Sequence, residues 1–233
     1  MSALDDLLND IFDGTDTTSL TEFEDWVRSS RRFREFAFAY RSKIRAKLRN
    51  ARENARFDDV RAELETAALL LREKRFALEY EKYAALKQRG PDFTVTFKTH
   101  TPFNVEVRRI RSVERDSAGS HLGKLIAILC DKAGQMPPSI VNLLWLAAEE
   151  PISETELTEA TSTVRQLAER KEEDFFTQRG HKSAAAFLKQ YQRLSGIVAH
   201  APGETVVWLN PIARHKAPAQ IVTAIQRLNP RID

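Results

Sequence analysis

Apolar and polar positions alternate twice between Pro91 and Ile110, in P-D-F-T-V-T-F-K-T-H-T-P-F-N-V-E-V-R-R-I. Phe93, Val95 and Phe97 fall on one face of a first strand, with Asp92, Thr94 and Thr96 on the other. Phe103, Val105 and Val107 repeat the pattern in a second strand, opposite Asn104, Glu106 and Arg108. Thr99 to Pro102 predicts the turn between them, because Pro102 removes a ladder donor and biases Thr101 to an extended backbone. The pattern places Asp92 and Glu106 on neighbouring strands and on one side of the sheet. Arg108 points the same way.

The same periodicities order the rest of the chain. Leu4, Leu7, Leu8, Ile11 and Phe12 follow helical spacing, and Gly14 to Thr18 reads as a break. Thr21 with the acidic residues after it suits a helix start. Phe33, Phe36, Ala37, Tyr40, Ile44 and Leu48 give one apolar face to a helix within Arg28 to Arg56. Asp58 to Lys74 predicts a helix with a stripe of Val60, Leu64, Ala67, Ala68 and Leu71. Phe76 to Tyr83 alternates as a strand. Leu122 to Ala133 predicts a mostly buried helix stopped at Gly134. Ile140 to Ala148 is a continuous apolar run of strand length, as expected for a strand covered on both faces. Ser153, three residues before Glu156, is a capping box that opens a helix to about Lys171. Glu172 to Lys182 reads as a loop. A short helix over Ala184 to Tyr191, a hairpin of Leu194 to His200 and Glu204 to Leu209, and a last helix over Ala217 to Leu228 complete the order.

Composition changes this picture little; charge placement changes it more. The chain has 233 residues and a net charge of +3. Its one cysteine, Cys130, forms no intramolecular disulfide, and a core thiol in the cytosol is the expectation. The first 25 residues have no basic start and no long apolar run, so no secretory signal is expected. The run from Val141 to Ala148 is too short to span a bilayer, and no membrane partner is expected. Met1 to Val27 holds eight acidic residues and no basic one, whereas Arg28 to Arg56 holds eleven Arg or Lys. A basic face of that kind tracks phosphates, or pairs with the acidic segment before it. The charge asymmetry suggests that the acidic segment, folded back on the basic helix, competes with nucleic acid.

Two carboxylates on one side of a hairpin suit a hard divalent ion, which takes a few oxygen ligands and often a substrate phosphate. A solvated polar face explains the same spacing without a metal. Pro91-Asp92, followed by Glu106-x-Arg108 in an N-V-E-V strand, resembles the signature of the PD-(D/E)xK nuclease superfamily, the restriction-endonuclease-like fold. The order helix, three strands, helix, strand over Asp58 to Glu149 is similar to the core of that superfamily.

The resemblance implies an α/β domain over residues 58–233, a mixed sheet flanked by helices, with a helical extension over residues 1–57. It implies Mg²⁺ (or Mn²⁺) held by Asp92 and Glu106, with Glu63 from the preceding helix as a further ligand. It implies nucleic acid as the partner, DNA first, and phosphodiester hydrolysis as the activity. Position 108 departs from the motif, which has Lys there. Arg108 stays protonated and screens charge but does not act as a base. Lys124 and Lys132 lie on the following helix, where some members of the superfamily carry the active-site Lys, and Lys124 is the expected substitute. The alternative is a catalytically inactive module that binds nucleic acid or another protein. No glycine-rich phosphate loop, zinc-spaced Cys/His cluster or G-x-S-x-G nucleophile motif occurs.

Overall fold

The computed structural model describes residues 3–12, 17–53, 56–86, 90–111 and 121–228. The expected break at Gly14 to Thr18 and the polar stretch after Arg111 fall mostly outside these residues. The chain forms an α/β structure around one sheet of six strands, in the order β1 (Phe76–Tyr80), β2 (Phe93–Phe97), β3 (Thr101–Ile110), β4 (Val141–Ala148), β5 (Gly196–Ala201), β6 (Glu204–Leu209). The β1-β2 and β2-β3 pairs are antiparallel, β3-β4 and β4-β5 are parallel, and β5-β6 is antiparallel. Helices cover both faces.

The hairpin forms as its alternation predicts. Phe93, Val95, Phe97, Phe103, Val105 and Val107 all enter one core. Its turn is tighter than expected: Thr101 pairs with Phe97, and Lys98 and Thr99 take left-handed backbones at φ 51° and 74°. Pro102 sits inside β3, on the strand opposite Thr96. Behind the other face, Asn104 is fully buried. It accepts from the Thr94 hydroxyl at 2.9 Å and donates to Asn142 Oδ1 at 3.0 Å, which satisfies a polar group in the middle of the sheet.

One face packs on α1 (Ala3–Phe12), α2 (Thr17–Ser29), α3 (Arg31–Ala39), α4 (Arg41–Glu53), α5 (Phe57–Leu70) and the late helix α10 (Ala219–Gln226). The other packs on α6 (His121–Ala133), α7 (Glu154–Glu169), α8 (Glu173–Thr177) and α9 (Ala184–Tyr191). The basic segment read as one helix is two. Ser30 caps α3 by accepting from Phe33 N, and the chain breaks at Tyr40 before α4. The break lets Phe33, Phe36 and Ala37 reach the core from α3 while Ile44 and Leu48 reach it from α4. These residues share one cluster with β1, β2 and β3, so no gap in the core marks the expected boundary between residues 57 and 58.

The capping box at Ser153 is present, and α7 ends at Glu169. The segment expected as a loop at Glu172 to Lys182 contains α8, because Phe176 is fully buried against Phe187 and drives that turn into the core. The strand expected to run to Tyr83 ends at Tyr80. There Glu81 takes a left-handed backbone at φ 47°, and a 3₁₀ turn over Lys82–Leu86 follows. The last helix starts at Ala219, with Pro218 just before it. No helix of the described residues is long and apolar enough to cross a membrane.

Candidate functional site

The site follows from a difference in strand length. β2 begins at Phe93, paired with Val105, whereas β3 continues to Ile110. Beyond that pair the β3 edge facing β2 has lost its neighbour. Asp92 fills the vacancy with its side chain: Val107 N donates to Asp92 Oδ2 at 2.8 Å. Continuing the antiparallel register by one residue puts Asp92 opposite Glu106. Both carboxylates line one cavity of about 350 Å³, together with Glu63, Lys47, Lys132 and Arg108.

Glu106 sits on β3 beside Leu144 of β4, and its side chain is 5% exposed. Burial pushes its pKa up, and Lys132 pulls it back. Lys132 Nζ donates to Glu106 Oε1 at 2.7 Å from the last turn of α6, where the helix C-terminus favours a cation. Burial pushes the Asp92 carboxyl up to about 7, repulsion from Glu106 adds to it, and Lys47 opposes it. Burial also pushes Glu63 up to about 7, with Asp92 adding repulsion and Lys47 again opposing.

α5 presents Glu63 to this cavity because Val60, Leu64 and Ala67 turn the neighbouring face into the core. Tyr80 hydroxyl donates to Glu63 Oε2 at 2.7 Å. Lys47, from α4, donates to the same oxygen. Its Nζ also lies 2.8 Å from Glu81 Oε1, 3.8 Å from Asp92 Oδ1 and 4.9 Å from the centre of the Tyr80 ring. Burial pulls the Lys47 pKa down, but Glu63 and Asp92 outweigh it and hold the ammonium above its ordinary value.

The structure places Asp92 and Glu106 side by side, as strand parity predicts, and Glu63, which only the resemblance implied, lines the same cavity. Arg108 is exposed at the rim of the same cavity. Lys124 is not part of it: it lies exposed on α6, while Lys132, eight residues on, is the lysine of that helix that reaches Glu106. The turn geometry decides this, since residues 124 and 132 differ by slightly more than two helical turns and only the C-terminal end of α6 overlies the site. Sequence reasoning missed Lys47, Tyr80 and Glu81. Lys47 was one of many basic residues on its helix, and nothing local singles it out. Glu81 is aimed by the left-handed turn after β1.

Four carboxylates, Glu63, Glu81, Asp92 and Glu106, face three ammonium groups, Lys43, Lys47 and Lys132. Among the described residues no group of three or more His, Cys, Asp or Glu side chains is arranged to hold a metal ion, and Lys47 stands between three of the carboxylates. The donor chemistry still suits a hard cation. The atoms are all carboxylate oxygens, and burial, with mutual repulsion added, raises the pKa values of Asp92 and Glu63. A cation with Asp92 and Glu106 as ligands requires Lys47 to swing aside, which a flexible four-carbon stem allows. Comparison with protein-family models, with curated proteins and with solved structures gave no match to this chain.

Proposed function

We propose that this chain is a divalent-metal-dependent nuclease of the restriction-endonuclease-like kind, acting on nucleic-acid phosphodiesters. The observation that carries the proposal is the ion pair between Lys132 and Glu106 beside Asp92. It supplies from α6 the lysine that the strand motif lacks at Arg108. Asp92 and Glu106 would hold Mg²⁺ or Mn²⁺, with Glu63 as the third carboxylate. Such an ion supplies Lewis-acid stabilisation of the phosphate and lowers the pKa of an attacking water. Lys132 would orient that water, and Arg108 at the rim would balance charge on the phosphate.

A second reading has its own support. The Lys47 ammonium already satisfies Glu63, Glu81 and Asp92, as expected of a nuclease fold that binds nucleic acid without cutting it. A panel of single- and double-stranded DNA and RNA, incubated with Mg²⁺, Mn²⁺ or chelator, separates the two. The nuclease reading expects cleavage that requires the metal and disappears in Asp92→Ala and Glu106→Ala. Binding that is indifferent to chelator and falls steeply with salt, with no cleavage of any substrate, supports the second reading and overturns the first.

A further inference from the structure

The Lys47 ammonium stands where three carboxylates converge at the acidic cavity, and each group it touches has a second partner. Glu63 Oε2 accepts from Lys47, but it accepts also from the Tyr80 hydroxyl at 2.7 Å. Asp92 divides its oxygens. Its Oδ2 accepts from Val107 N at 2.8 Å, and its Oδ1 turns towards Lys47 at 3.8 Å. Glu81 divides its oxygens too. Oε1 lies 2.8 Å from Lys47, and Oε2 lies 3.7 Å from the ammonium of Lys43, one turn earlier on α4. Lys43 is itself anchored, since its Nζ donates to Tyr80 O at 2.9 Å.

Withdrawing an ammonium from a buried carboxylate is costly chiefly because of the charge it leaves without a partner. Withdrawing Lys47 leaves none of its three carboxylates in that condition. Lys132 differs. Among the described residues Glu106 accepts from Lys132 alone, so Lys132 cannot leave without stranding a side chain that is 5% exposed. The Lys47 side chain is 23% exposed and hangs on a flexible four-carbon stem, so a path to solvent is open to it. Of the two lysines that reach into the cavity, Lys47 is the one built to move.

We propose that Lys47 is a tethered stand-in for the divalent cation, displaced when the ion enters, and that Lys43 alone then balances Glu81. The proposal rests on the nuclease reading, which is what calls for the ion. It makes Lys47 an internal competitor: the site is charge-compensated without metal, and the apparent metal affinity falls by the fraction of chains in which Lys47 is in place. A monovalent ion brings no more charge than the ammonium it replaces, whereas a divalent one does, so the exchange also selects for divalent ions. Simple repulsion makes a different prediction. It has the loss of either nearby ammonium tighten metal binding. The exchange has opposite signs at the two lysines, because Lys47 must leave and Lys43 must stay.

The test is calorimetric titration of the full chain with Mn²⁺ at pH 8, in the wild type, Lys47→Met and Lys43→Met. Lys47→Met is expected to bind the ion roughly 10-fold more tightly, the size of one charged hydrogen bond no longer to be broken. Lys43→Met is expected to bind it roughly 3-fold more weakly, the size of a partly exposed ion pair. Tightening in both variants reduces Lys47 to a nearby charge and overturns the proposal. Unchanged affinity in Lys47→Met overturns it as well, and either result leaves the nuclease reading standing. No ion bound by the wild type or by either variant removes the nuclease reading and the proposal with it. A second measurement needs no variant. Reductive methylation with formaldehyde and cyanoborohydride, read lysine by lysine by mass spectrometry, is expected to label Lys47 several-fold faster in saturating Mg²⁺ than in chelator. Lys124, exposed and outside the cavity, is expected to label equally in both. Labelling of Lys47 that is indifferent to the bound ion overturns the proposal even if Lys47→Met fails to fold.

Discussion

At the scale of single residues the account turns on which cation serves Glu106. If Lys132 is the functional lysine, Lys132→Gln lowers the cleavage rate by roughly 10²-fold or more, whereas Arg108→Lys leaves it within a few-fold. Removing a partner from a buried pair also destabilises, by about 3–5 kcal/mol. Lys132→Arg separates the effects: it keeps the charge beside Glu106 and restores the melting temperature, but it does not restore the rate. A pH signature follows from Asp92 and Glu63, both raised to about 7 from ordinary values of 3.8 and 4.5. A raised carboxyl makes the native state bind more protons than the unfolded chain, so stability is fullest below about pH 4 for these groups and falls as pH rises to about 7. The metal-free melting temperature is therefore expected to drop across that window, and to drop less in Asp92→Asn, which keeps an acceptor for Val107 N. Burial raises the Cys130 thiol to about 11, so a thiol reagent at pH 8 is expected to label the native chain far more slowly than the unfolded one. At this scale Asp92 and Glu106 were legible, because parity along a strand fixes where a side chain points; Glu63 came from the resemblance alone, since helical spacing reads it equally as a surface residue. Lys47, Glu81 and Lys132 were not, because whether a long side chain reaches a site depends on packing between elements distant in sequence.

At the scale of elements, local chemistry and tertiary packing part company in a few places. Ser153 and Glu156 form the reciprocal cap their spacing announces, with Glu156 N to Ser153 Oγ at 3.2 Å and Ser153 N to Glu156 Oε2 at 2.9 Å. Ser153→Ala is expected to cost about 1 kcal/mol, read from a denaturation midpoint. The short strands were equally legible: Glu204 to Leu209 forms as its pattern predicts. The charged stretch at Glu172 to Lys182 was not, since a single buried aromatic, Phe176, outweighs the polar residues around it. The split of the basic segment into α3 and α4 was hidden for a similar reason. The apolar spacing runs on through Tyr40 without a proline or glycine, yet the Tyr40 backbone leaves the helical region at φ −112° and ψ 16° and ends α3.

At the scale of the whole molecule, the amino-terminal helices are part of the sheet's own core. Leu7, Ile11, Phe23, Val27 and Phe33 are buried in the cluster that holds β1 to β3, and α4 sends Lys47 into the candidate site. The acidic segment does meet the basic one, through Asp10 to Arg45 at 2.9 Å and to Arg41 at 3.9 Å, but it does so while its apolar face is buried. Release of that segment to expose a phosphate-binding surface would uncover the core. A chain beginning at residue 58 is thus expected to be unfolded by circular dichroism, and Phe33→Ala to cost about 3–5 kcal/mol. The charge asymmetry suggested an acidic segment that competes with nucleic acid for the basic helix; the apolar spacing inside the same segment was the stronger signal.

The central claim is that Asp92 and Glu106 share a divalent cation, and calorimetric titration of the chain with Mn²⁺ tests it most directly. The account predicts one ion per chain, bound more tightly at pH 8 than at pH 6 because protons compete for Asp92, and lost in both Asp92→Asn and Glu106→Gln. Binding that survives both substitutions, or no binding at pH 8 by a folded chain, would contradict it.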